Sequence, residues 1–108
     1  MNSLINLALI GASGVVGKKI ISLLENKNIE INNFYPVGST SVGGEIVFNN
    51  NEYKIEDLTN FDYTKANLAI FSAGSKVAEE HAKDFVNAGA YVIDLSSRFR
   101  YEKEIPLI

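Results

Sequence analysis

Cysteine and tryptophan are absent from the 108 residues, histidine and methionine occur once each, and proline twice. Without cysteine there is no disulfide, no thiolate metal site and no thiol nucleophile within these residues. A basic excess is lacking as well. Ten Lys and Arg against thirteen Asp and Glu give a formal charge of −3, which leaves no positive footprint for nucleic acid. No stretch approaches the roughly 20 apolar residues of a membrane span. Met1-Asn2-Ser3 puts no positive charge ahead of the apolar run that follows, so we expect no signal peptide and a cytoplasmic setting. What remains, 46% hydrophobic and 21% charged residues, is the composition of one soluble domain with a single core.

Within that domain the run Leu7-Ala8-Leu9-Ile10 breaks into Gly11-Ala12-Ser13-Gly14-Val15-Val16-Gly17. An aliphatic run suits a parallel strand buried on both faces. Val16, Ile20, Leu23 and Leu24 then recur at helical spacing. Strand, glycine turn and helix in this order predict a phosphate-binding turn, in which the absent Cβ atoms let an oxyanion approach the backbone and the helix N–H groups point at its charge. Gly17 is expected to let the helix lie close on the sheet.

Further along, residues 33–37 read as a second strand despite Pro36, ending at Gly38-Ser39-Thr40-Ser41. Gly43-Gly44 opens a hairpin, with strands over residues 45–48 and 52–55 and Asn49-Asn50-Asn51 as its turn. Residues 56–65 are polar and irregular, a connection or a short helix. Leu68-Ala69-Ile70-Phe71 is a buried strand, residues 75–88 an amphipathic helix closed by Gly89, and Tyr91-Val92-Ile93 a further strand. Strand and helix alternating in this way predict an α/β fold, a Rossmann-like doubly wound, mainly parallel sheet with helices on both faces and its ligand at the carboxyl ends of the strands.

Four segments in this order resemble the N-terminal NADP-binding domain of bacterial aspartate-semialdehyde dehydrogenase. They are the glycine turn, Gly38-Ser39-Thr40-Ser41 with Gly43, Phe71-Ser72-Ala73-Gly74, and Asp94-Leu95-Ser96-Ser97-Arg98-Phe99-Arg100 followed by Ile105-Pro106-Leu107. The resemblance implies an NAD(P)-binding domain over residues 1–108, part of an enzyme that reduces aspartyl phosphate through an acyl-thioester on a cysteine. That cysteine would lie in a substrate domain this chain lacks, so the chain by itself is not expected to be active.

By the same resemblance, Ser13, Gly14, Val15 and Val16 belong at the pyrophosphate, with Gly11 and Gly17 completing the cofactor-binding turn. Ser39, Thr40 and Ser41 would lie beside the adenosine ribose, and Ser72, Ala73 and Gly74 along the dinucleotide. Arg100 would hold the substrate phosphate, for which a guanidinium offers a planar fork of donors. The implied cofactor is NADP, with NAD as the alternative, and the implied assembly a homo-oligomer. Two departures stand out. Thr40 occupies the place of the arginine that would meet a 2′-phosphate, with no Lys or Arg between Lys27 and Lys54 and no Asp or Glu over residues 38–42. Asp94-Leu95-Ser96 looks more like the sister enzyme N-acetyl-glutamyl-phosphate reductase, which stays open as an alternative beside a non-catalytic nucleotide-binding module.

Other residues invite chemistry and have a plainer reading. His81, at the border of the helix's apolar face, has no companion that would make it a base. None of the five tyrosines has a lysine four residues on, which argues against a short-chain reductase. Asp57, Asp62, Glu102 and Glu104 lack metal-ligand partners and read as solvated.

Overall fold

The computed structural model describes residues 4–38, 42–72 and 75–95. The chain runs β1 (Asn6–Ile10), α1 (Val15–Asn26), β2 (Asn33–Gly38), β3 (Glu45–Phe48), β4 (Asn51–Lys54) and β5 (Glu56–Asp57). Two single 3-10 turns follow (Leu58–Asn60 and Tyr63–Lys65), then β6 (Leu68–Phe71), α2 (Ser75–Asn87) and β7 (Tyr91–Asp94). Five strands form one sheet in the order β5-β2-β1-β6-β7, every pair parallel. From β1 the chain builds outward through β2 to β5, then returns to the other side of β1 for β6 and β7. The order therefore reverses between β1 and β6, as in a doubly wound sheet.

Alternation along β1 explains its unbroken apolar run. Ala8 and Ile10 project to one face, Leu7 and Leu9 to the other, and none is more than 1% exposed. On the Leu7 face lie Ile20 and Ile21 of α1 together with Ile46 and Phe48 of the hairpin, where Phe34 stacks on Phe48 at 4.6 Å between ring centroids. The Ala8 face carries Phe85 of α2 and the aromatic side chains of the 3-10 segment. There Tyr63 meets Phe85 edge to face at 4.8 Å. Layers on both faces are what the alternation of strand and helix led us to expect. Among the described residues no helix is long and apolar enough to cross a membrane.

Two local expectations change. The hairpin turn is Asn49-Asn50 alone, both at positive φ (51° and 67°), and Asn51 already pairs with Phe48 in the ladder. Asparagine is one of the few residues that accept that geometry twice in succession, as a tight hairpin demands. The polar stretch after the hairpin is more than a connection. Its first two residues form β5, and Asp57 and Asp62 each cap a 3-10 turn by accepting from Thr59 N and Thr64 N, both at 3.0 Å. Pro36 is accommodated because β5 reaches only Val37 and Gly38, so the outer side of β2 has no strand partner at the proline.

Candidate functional site

At the carboxyl end of β1 the chain turns at Gly11, whose φ of 85° lies where a Cβ would be strained. Its N–H donates to Val37 O at 2.8 Å, and Gly14 N donates back to Gly11 O at 3.0 Å, which ties the turn to the end of β2. α1 starts immediately afterwards. Gly14 is its N-cap residue, no side chain caps the helix, and the first helical bond in this turn runs from Lys18 N to Gly14 O at 3.0 Å. The N–H groups at a helix start lack intrahelical partners by geometry. Here, among the described residues, no side chain caps them.

The three glycines have three different reasons to be there. Gly11 supplies the left-handed conformation. Gly17 is set by contact: a Cβ there would lie 2.8 Å from Ala12 O, 2.9 Å from Ala12 C and closer still to Gly11 O, all backbone atoms that cannot swing away. Gly14 is required by neither. Its backbone is extended (φ −77°, ψ 174°), and a Cβ would meet only Gly11 O, at an ordinary 3.4 Å. Among the described residues nothing in the packing or the backbone requires glycine at this exposed position.

Ser72, the residue after β6, joins this turn from the other side of the switch point. Its N–H donates to Ile10 O at 2.9 Å, and its hydroxyl donates toward Ile10 O at 2.7 Å and Gly11 O at 3.1 Å. The hydroxyl proton is thus directed into the end of β1, leaving the oxygen's lone pairs as its offer to a ligand. Gly11, Ser13, Gly14, Val15, Val16, Gly17 and Ser72 are therefore brought to one rim. Val15 is 75% exposed there, while Val16 packs against the α1 side of the core. Ser39, Thr40, Ser41, Ala73, Gly74 and Arg100 lie outside the described residues.

Two features were not visible in the sequence. The pairing of β5 with β2 sets Asp57 opposite Gly38. The Asp57 carboxylate, bonded first by the Thr59 hydroxyl at 2.7 Å and then by its N–H, is held below the usual carboxylate range. The second is at His81, whose Nδ1 lies 3.2 Å from the Tyr63 hydroxyl and 3.8 Å from Asp84 Oδ2. Tyr63 also donates toward Leu58 O at 3.2 Å, and its burial, with the Asp84 charge behind it, pushes its pKa up. This group packs among the aromatic side chains of the α2 face. Among the described residues no cluster of three or more His, Cys, Asp or Glu could hold a metal ion.

A rim of this kind can take an anion at the helix start and an extended ligand across the switch point. The family described as "Semialdehyde dehydrogenase, NAD binding domain" matches residues 6–108. The chain belongs to that family. Aspartate-semialdehyde dehydrogenase of Legionella pneumophila is 43% identical over 109 residues, covering all of this chain and 31% of the relative. The enzyme of that name from Helicobacter pylori is 42% identical over 106 residues, covering 95% and 30%. Among solved structures, aspartate semialdehyde dehydrogenase II of Vibrio cholerae, complexed with ASA, superposes with a TM-score of 0.87 at 31% identity, covering 98% of this chain and 35% of that one. The chain thus spans about a third of the length of the relatives it matches. As a member of that family, it has at the glycine turn a helix start with no side-chain cap and no Cβ at Gly14, a geometry that suits a pyrophosphate.

Proposed function

We propose that residues 1–108 are the cofactor-binding domain of an aspartate-semialdehyde dehydrogenase, an enzyme of amino-acid biosynthesis that reduces aspartyl phosphate to the semialdehyde. The single observation that carries the cofactor role is the turn from Gly11 to Gly17 at the switch point, where Gly11 and Gly17 are required by the backbone and its packing while Gly14 is required by neither, which supports a role toward a ligand. The names of the relatives support the aspartate enzyme over N-acetyl-glutamyl-phosphate reductase. In this reading the bound nicotinamide supplies the hydride. The chain's own part is to hold the pyrophosphate on the N–H groups of the α1 start and to fix the dinucleotide across β1 and β6. The cysteine that would form the acyl-thioester belongs to a substrate domain outside these residues, since none occurs here, and Arg100 would hold the phosphate of a small acyl-phosphate substrate. A cytoplasmic, oligomeric enzyme is the corresponding whole. Kinship argues for NADP, whereas the residues near β2 argue the other way, as developed below.

Gly14→Val tests the cofactor role. The extended backbone accepts valine, so the variant should melt within a few degrees of the wild type while losing at least about tenfold in dinucleotide affinity by calorimetry, because the side chain stands in front of the helix N–H groups. A folded variant with wild-type affinity would contradict the assignment.

A further inference from the structure

Sequence alone shows no carboxylate at the end of β2, where an acid gripping a ribose 2′-hydroxyl commonly sits. The sheet supplies one from elsewhere. β5 runs parallel to β2 in the register Val37↔Glu56 and Gly38↔Asp57, so both strands end at the same level of the carboxyl edge. Neighbouring strands are about 4.8 Å apart, which puts the Asp57 backbone one strand spacing from Gly38 and two from the end of β1. The side chain is fixed at that edge because it caps the turn that begins there. Oδ1 accepts from Thr59 N and Thr59 Oγ1, and Oδ2 from Asn60 Nδ2 at 3.2 Å. Three neutral donors keep the group ionised without cancelling its charge. Oδ2 accepts one bond where it could take two, among the described residues. No Lys or Arg occurs over residues 28–53; Lys54 stands in register with Glu45 in the hairpin, and Lys65 lies 5.9 Å from the centroid of the Tyr35 ring of β2.

With the pyrophosphate on the α1 start, the adenosine half of a dinucleotide lies over β2 and its outer neighbour. We propose that Asp57 is a specificity-determining residue of this site, a fixed carboxylate beside the adenosine ribose that accepts a free 2′-hydroxyl and repels a 2′-phosphate, so that NAD binds at least as well as NADP. The proposal rests on the dinucleotide reading above and adds which of the two cofactors the site accepts. A 2′-phosphate carries up to two negative charges near pH 7. Placed several ångströms from one carboxylate at the protein surface, it should lose about fivefold in affinity, less as salt rises.

The test is calorimetric titration of the 108-residue chain and of Asp57→Asn with NAD and with NADP, at low and at high salt. Asparagine caps as well as aspartate does, so the variant removes charge while keeping the turn. The wild type should bind NAD at least as tightly as NADP. Asp57→Asn should tighten NADP about fivefold at low salt, with that gain shrinking at high salt, and weaken NAD about threefold, because an amide oxygen accepts the 2′-hydroxyl less strongly than a carboxylate does. Thr59→Ala is the control: it loosens the turn but keeps the carboxylate, and should lower the melting temperature without moving the NAD to NADP ratio. A ratio equally unmoved by Asp57→Asn, or a wild type that prefers NADP tenfold or more, overturns the role of Asp57 and leaves the dinucleotide site standing. Binding of neither cofactor to the wild type overturns the dinucleotide reading, and this inference with it.

Discussion

At the amino end of the parallel sheet, Asn6 Oδ1 accepts from Asn32 Nδ2 at 3.0 Å and from Asn33 Nδ2 at 2.9 Å. Asn67 Oδ1 accepts from Asn6 N at 2.8 Å, and Asn67 Nδ2 donates to Leu4 O at 2.5 Å. Four asparagines there use one another and the strand ends as hydrogen-bond partners. The carboxyl end of the same strands is built by leaving side chains out: glycine at 11, 14 and 17, and a helix whose first turn no side chain caps. One end is closed by polar groups that satisfy each other; at the other, among the described residues, no side chain caps the helix start. That contrast supports the carboxyl end as the proposed dinucleotide edge.

Breaking the carboxyl end from inside should have the largest effect. Gly17→Ala forces a Cβ into the backbone of Ala12 and Gly11, so α1 must move off the sheet. We expect a loss of about 3 kcal/mol in urea unfolding, outweighing the roughly 1 kcal/mol that alanine contributes in a helix interior. A more stable variant would mean that α1 is not pinned there. At the amino end, Asn67→Ala removes two hydrogen bonds and should lower stability by about 1–2 kcal/mol while leaving dinucleotide affinity unchanged, which separates the two ends by function.

The smallest effect concerns acid. The Thr64 hydroxyl and N–H hold Asp62 below the usual carboxylate range, as Thr59 does for Asp57. A carboxylate whose folded pKa is depressed adds stability above its unfolded value, and that stability is lost as pH falls through the folded one. The stability gap between wild type and Asp62→Ala should therefore be present at neutral pH and close below about pH 4. A gap that persisted in acid would mean the cap does not depend on the charge.

Which parts of this were legible beforehand follows from how local their causes are. β1, β6 and the glycine turn are written in consecutive residues, because burial on both faces demands an aliphatic run and the turn demands glycine. β2 was legible despite Pro36. β5 was not: two polar residues have no periodicity, and Glu56-Asp57 becomes a strand only because Val37 and Gly38 are there to pair with it. The same tertiary pairing hid Asp57 from a search confined to the end of β2, just as packing of α2 against the 3-10 segment hid the Tyr63 partner of His81. Asp57 and Asp62 were read as solvated because an Asp-x-Thr cap looks like any polar connection until the turn it closes is seen.

Amide chemical-shift mapping tests most directly the claim that the carboxyl edge is the dinucleotide site. Titration of the labelled chain with NAD should shift the amides of Gly11, Ser13, Gly14, Val15, Val16, Gly17 and Ser72, and leave those of Asn6, Asn32, Asn33 and Asn67 in place. Shifts centred on the asparagine end, with the glycine turn unmoved at saturation, would contradict it.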